Sequence, residues 1–149
     1  MKPISEIDAE ILLVEDSPFD AEIMLLRLKK AGYAERTLWV KSGEEALDYL
    51  LGMGDYAMRN RQLNPKVIFL NLFLPEMSGF EVLHLLKMYD WTKSIPIIML
   101  TNSTEETDMM DSFAKGVVCC IVKPLSQEGL ARALAELERL WQPNHLLPV

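Results

Sequence analysis

Five short apolar runs, separated by stretches that carry the marks of helix starts, limit how this chain can fold. They occupy residues 10–15 (EILLVE), 37–40 (TLWV), 66–70 (KVIFL), 95–100 (IPIIML) and 117–122 (VVCCIV). All but the second lack polar alternation, the pattern of parallel strands covered on both faces. TLWV is shorter and bears Thr37, which suits a less buried strand. Between the runs, Ser17 precedes Asp20, Ser42 precedes Glu45, Ser78 precedes Glu81 and Ser103 precedes Glu106. Each pair places a hydroxyl to accept an orphan backbone N–H and an acid at the positive end of a helix. Pro18 falls at a first helical position, where its missing N–H does no harm. A fifth helix is predicted over about residues 126–141, with Leu130, Leu134, Leu137 and Trp141 on one stripe that reads as core.

Strand–helix alternation repeated five times implies an α/β protein with a five-stranded parallel sheet and helices on both faces. Right-handed crossovers make the sheet doubly wound, and ligands then sit at the carboxyl ends of the strands. Glu15 and Asp16, Asn71, Thr101, and Lys123 with Pro124 all converge on that edge. Adjacent carboxylates on one rim call for a cation or a lysine, and Mg2+ takes such hard oxygens. The other reading of Asp16 is that it helps cap the helix that Ser17 begins. Lys123 either reaches a counter-charge or extends to solvent. Lys-Pro is compatible with a cis peptide in a tight turn. The long connection over residues 52–65, with Tyr56, Arg59 and Arg61, is either a surface insertion or a partner-binding loop.

Composition removes other classes. At 149 residues, a single domain is expected, with a core over about residues 10–141 and a tail over about residues 142–149. There is no apolar run of transmembrane length and no secretory h-region at the start. The two cysteines, Cys119 and Cys120, are adjacent and would face opposite sides of a strand, so a cytoplasmic protein without disulfides is expected. A formal charge of −7 argues against a nucleic-acid surface. His84 and His145 lie away from the predicted rim, so a histidine-based hydrolase is not expected. No P-loop occurs, and the acids after the first run would repel a flavin phosphate.

The blocks VEDSP, VIFLNLFLPEMSGFEVL, IPIIMLTNS and CCIVKPL resemble, in order, the signature segments of the response-regulator receiver domain of two-component signalling. The resemblance covers nearly the whole chain. It implies a flavodoxin-like receiver fold with strand order 2-1-3-4-5 and a signalling module rather than an enzyme. Glu15 and Asp16 match the acidic pair that holds Mg2+, and Phe73 matches the position whose backbone carbonyl is a further ligand. Thr101 matches the hydroxyl residue that bonds the phosphoryl group. Lys123 matches the lysine that pairs with it, and Pro124 the proline after a cis bond. The long loop before the third run and the C-terminal extension resemble small single-domain regulators that partner phytochrome-type histidine kinases. Those regulators tend to form homodimers. The tail sequence PNHLLPV, with Leu146, Leu147 and Val149, reads either as part of such an interface or as a frayed end. With no room for an attached output domain, output is expected through protein contacts.

The chain departs from the family at its central atom. Position 71 matches the phosphoacceptor aspartate and holds Asn71. An amide oxygen is a poor nucleophile and cannot form an acyl phosphate. The loss of one negative charge should weaken Mg2+ binding and leave Lys123 better matched to Glu15 and Asp16. Cys120 stands where the family often has an aromatic switch residue; it also reads as a small core residue. Asn71 fits either a natural pseudo-receiver, acting as a phosphorylation-independent scaffold, or a substitution that freezes an ordinary regulator.

Overall fold

A computed structural model of the chain describes residues 9–59, 63–102 and 116–141. The cap at Ser103, the side of the long loop that holds Arg61, and the tail with His145 lie outside these residues. The five strands are β1 (Ile11–Val14), β2 (Thr37–Val40), β3 (Val67–Asn71), β4 (Ile97–Thr101) and β5 (Cys119–Val122). They form one parallel sheet in the order β2-β1-β3-β4-β5. The helices among the described residues are α1 (Pro18–Lys30), α2 (Gly43–Leu51), α3 (Gly79–Lys87) and α4 (Gln127–Trp141). This is the doubly wound architecture that the alternation predicts.

Three of the four predicted caps lie among the described residues, and these three form. Ser17, Ser42 and Ser78 each accept from the backbone N–H three residues on, at 3.3, 3.1 and 3.2 Å. Two strand ends differ from the sequence reading. Asn71 and Thr101 are the last residues of β3 and β4, not the first beyond them, because Asn71 pairs with Leu100 and Thr101 with Val122 in register. Backbone pairing is indifferent to side-chain polarity, so the ladder runs one residue past the apolar runs.

The pleat sends alternate residues to opposite faces. Ile11, Leu13, Phe69, Ile98 and half-buried Cys119 pack with Met24 and Leu28 of α1 and with Leu130, Leu134 and Leu137 of α4. Leu12, Val14, Leu70, Met99 and half-buried Cys120 pack with Tyr49 and Leu50 of α2 and with Val82, Leu83 and Leu86 of α3. The two cysteines do face opposite sides. Every residue of β1, β3 and β4 is buried, whereas β2 is only partly covered, as Thr37 foretold.

The described part of the long loop is tied down. Gly52 ends α2 in the left-handed region at φ 66°, a conformation glycine takes without strain. Arg59 is buried and donates to the carbonyls of Tyr49, Leu50 and Leu63, with its guanidinium 4.2 Å from the Tyr49 ring centroid. Two of these carbonyls, those of Tyr49 and Leu50, belong to the last turn of α2, where acceptors lack intrahelical partners on one side. Tyr56 is also buried and donates to Glu45 at 2.7 Å. Burial, and then this bond and the charge of Glu45, push the Tyr56 phenol above its ordinary value of 10.0. The folded state therefore holds that proton more tightly than the unfolded chain. The stabilisation is fully present below the unfolded value and is lost as pH rises through the folded one. Urea midpoints should fall as pH rises beyond about 10 in the native chain, and less so in Tyr56→Phe. Equal falls in both would refute this.

Candidate functional site

The carboxyl edge of the sheet gathers the predicted residues. β1 delivers Glu15, whose carboxylate is 1% exposed and accepts three hydrogen bonds. Lys123 Nζ donates to Oε1 at 2.8 Å; Ser17 N at 3.1 Å and Asn71 Nδ2 at 2.8 Å donate to Oε2. Asp16, exposed, accepts from the same Asn71 Nδ2 at 3.1 Å. Asn71 Oδ1 in turn accepts from Phe73 N at 3.2 Å. The Lys123 side chain is 9% exposed, and its second bond runs to Asp20 Oδ2 at 2.8 Å. The structure thus joins Glu15, Asp16, Asn71 and Lys123 in one network.

Lys123 does find counter-charges, but the pairing differs in one respect from the expectation. Its partners are Glu15 and Asp20, and the Asp16 carboxylate goes to Asn71 instead. Sequence reading gave Asp20 only a capping role. Its backbone N–H does bond Ser17, while its carboxylate faces inward from the first turn of α1 to meet a lysine far along the chain. No local pattern announces such a contact. Burial alone would lower the Lys123 ammonium, but the hydrogen bonds and charge of Asp20 and Glu15 outweigh it and hold its pKa above the ordinary lysine value.

Some of the remaining predicted residues lie at this edge of the sheet and others do not. Thr101 is buried at the end of β4, and its carbonyl accepts from Lys123 N at 2.7 Å. The Lys123–Pro124 bond is cis. The loop after it is bound to the far end of α1: Arg27 Nε donates to Leu125 O at 3.1 Å, and Gln127 Nε2 to Arg27 O at 3.0 Å. Phe73 and Phe19 stand exposed beside the rim. Cys120 packs against the core of α2 and α3, and His84 is exposed on α3.

A glycine brings α3 up to the site. A Cβ on Gly79 would fall 2.5 Å from Asn71 O and 2.9 Å from Leu72 Cα, both backbone atoms that cannot yield as a side chain would. Gly79→Ala should cost about 1–3 kcal/mol, read by urea denaturation. A loss below a few tenths would show that the close approach is relaxed in solution.

The donor set can be tested against a divalent cation. Mg2+ requires oxygen ligands. At residue 71 the atom facing both acids is an N–H donor, and the amide oxygen is turned to Phe73. Among the described residues, no three His, Cys, Asp or Glu side chains group to hold a metal. As arranged, these residues do not fit the ion that the resemblance implies.

The strand order is the one the resemblance implies, and comparison with known proteins agrees on the fold. The family described as "Response regulator receiver domain" matches residues 11–135, so the chain belongs to that family. It is similar to the "Probable methanogenesis regulatory protein FilR2" of Methanothrix harundinacea, at 36% identity over 88% of this chain and 82% of the relative. It is also similar to "Response regulator Rcp1" of Synechocystis, at 32% identity over 93% of this chain and 92% of the relative. Among solved structures, "Bacteriophytochrome response regulator RtBRR" superposes with a TM-score of 0.79 at 38% identity, covering 93% of this chain and 81% of that one. The Mn2+-bound form of Rcp1 superposes with a TM-score of 0.71 at 32% identity, covering 93% and 98%. Of these, RtBRR is named as a response regulator of a bacteriophytochrome. No helix among the described residues is long and apolar enough to cross a membrane.

Proposed function

We propose that this chain is a single-domain response regulator that partners a phytochrome-type histidine kinase and takes no phosphoryl group at residue 71. The observation that carries the reading is the Asn71 amide, buried at the phosphoacceptor position and bonded to both acids. A neutral amide there supplies no nucleophile for an acyl phosphate. Glu15, Asp16 and Phe73 stand at the family's metal-binding positions, Thr101 at its hydroxyl position and Lys123 at its lysine position. The chain acts as a binding and switching module in the cytoplasm, without nucleic acid or membrane, and as a homodimer through the β4–β5 side. The 38% identity to a bacteriophytochrome regulator supports the choice of partner.

A second reading is a constitutive scaffold that docks without any phosphorylation. The rim favours it, because the acids are satisfied by protein donors alone. One experiment tests both. An autophosphorylated phytochrome-type kinase is mixed with the native chain and with the Asn71→Asp variant, and label transfer and binding are followed. Label on the variant alone supports the first reading. Tight binding of the native chain with no label on either supports the second. Label at residue 71 of the native chain would overturn both.

A further inference from the structure

Two adjacent carboxylates at one strand end repel each other unless positive charge or hydrogen-bond donors lie between them. Here the group between them is the side-chain amide of Asn71, 2.8 Å from Glu15 Oε2 and 3.1 Å from Asp16 Oδ1. An amide nitrogen has two hydrogens, enough for one to each acid. Its orientation is fixed by chemistry. Turned over, Oδ1 would face two carboxylate oxygens and Nδ2 would face the Phe73 N–H, leaving acceptors against acceptors and donor against donor. The second oxygen of Glu15 is already held by Lys123. Glu15 and Asn71 are 1% and 4% exposed, so water does little to screen their contact, whereas Asp16 stands at the exposed end of the network.

A cation entering between the acids would have to turn Asn71 over. That breaks both amide bonds to the carboxylates and the bond from Phe73. In exchange the ion gains one neutral amide oxygen where an aspartate would offer a charged one. Hard cations bind such sites largely through the number of charged oxygens.

We propose that in this chain the Asn71 amide and the Lys123 ammonium take the place of a divalent cation, so that the rim is fixed from within and is indifferent to Mg2+. The proposal rests on the reading of residue 71 as unphosphorylated, and it adds that the metal step upstream of phosphorylation is absent too.

The test is thermal unfolding of the full chain in excess Mg2+ and in EDTA, beside Asn71→Asp. The native midpoint should be the same in both to within about 1 °C, whereas the variant should gain roughly 5 °C or more in Mg2+ at about a hundredfold excess over its Kd. A native chain stabilised by Mg2+ as much as the variant overturns the proposal. So does a variant as indifferent as the native chain, because residue 71 is then not what excludes the ion. Should the variant fold poorly, Mn2+ added to the native chain gives an independent reading by NMR. Selective broadening at residues 15, 16 and 71 overturns the proposal, and its absence supports it. Phosphoryl transfer to Asn71 would defeat the functional reading while leaving these cation measurements to stand.

Discussion

Asn71→Asp, incubated with acetyl phosphate and Mg2+, should take up about one base-labile phosphoryl group per chain, and the native chain none. The change replaces an amide by a carboxylate in a rim that also holds Glu15, Asp16 and Lys123, with Thr101 at the end of the neighbouring strand. A carboxylate can attack phosphorus and hold the product as an acyl phosphate, whereas an amide can do neither. The substitution also removes both N–H donors that now bridge Glu15 and Asp16, and adds a third negative charge beside them. Unrelieved, three such acids would repel one another. Uptake should therefore fall away when Mg2+ is replaced by EDTA. Intact-mass measurement with peptide mapping reads the result. A phosphoryl group on residue 71 of the native chain, or none on the variant with Mg2+ and donor in excess, would refute the assignment of this position.

Lys123→Ala should be among the most damaging single changes in the molecule. The lysine is 9% exposed and bonds a glutamate that is 1% exposed. Breaking a buried ion pair by removing one partner costs about 3–5 kcal/mol, because the remaining charge is left uncompensated in a poorly hydrated place. Glu15 would keep its bonds from Ser17 N and Asn71 Nδ2, but no cation. Asp20, with 31% of its side chain exposed, can relax toward water and contributes less to the loss. Adding Glu15→Gln to Lys123→Ala should recover part of the stability, since it removes the stranded charge. Urea denaturation of the single and double variants measures both effects. A single-variant loss below about 1 kcal/mol, the range of exposed pairs, would mean that Glu15 is well hydrated after all.

The strand–helix alternation and the rim could be read from the sequence because their marks are local, whereas the strand order followed only from the family resemblance. Ser17, Ser42 and Ser78 sit next to apolar runs, and the caps they foretell are formed. The positions of Glu15, Asn71 and Lys123 follow once those runs are accepted as parallel strands. What could not be read was pairing across the fold. Asp20 looks like any acid in a first helical turn, yet its carboxylate is taken by Lys123. The direction in which the Asn71 amide points was equally hidden, since it depends on Phe73 N–H and on both acids at once. The strand ends at Asn71 and Thr101 were missed by one residue for a simpler reason. Side-chain polarity marked the boundary in the sequence, whereas the ladder is made by the backbone.

The alternation of side chains about the sheet has a consequence for how the rim is wired to the rest of the molecule. Ile11, Leu13, Phe69 and Cys119 face α1 and α4, and Glu15, Asn71 and Lys123 continue those same alternate rows upward. Met99 and Cys120 face α2 and α3, and Thr101 continues the row of Met99. The sheet therefore acts as a bulkhead. Glu15 and Lys123 stand in one compartment with α1, which supplies Asp20, and the hydroxyl and the cysteine stand in the other. A repacking beneath α1 reaches the charges first, and one beneath α3 reaches Thr101. Among the described residues, one direct link between the two compartments is the backbone of β4 and β5, where Lys123 N bonds Thr101 O.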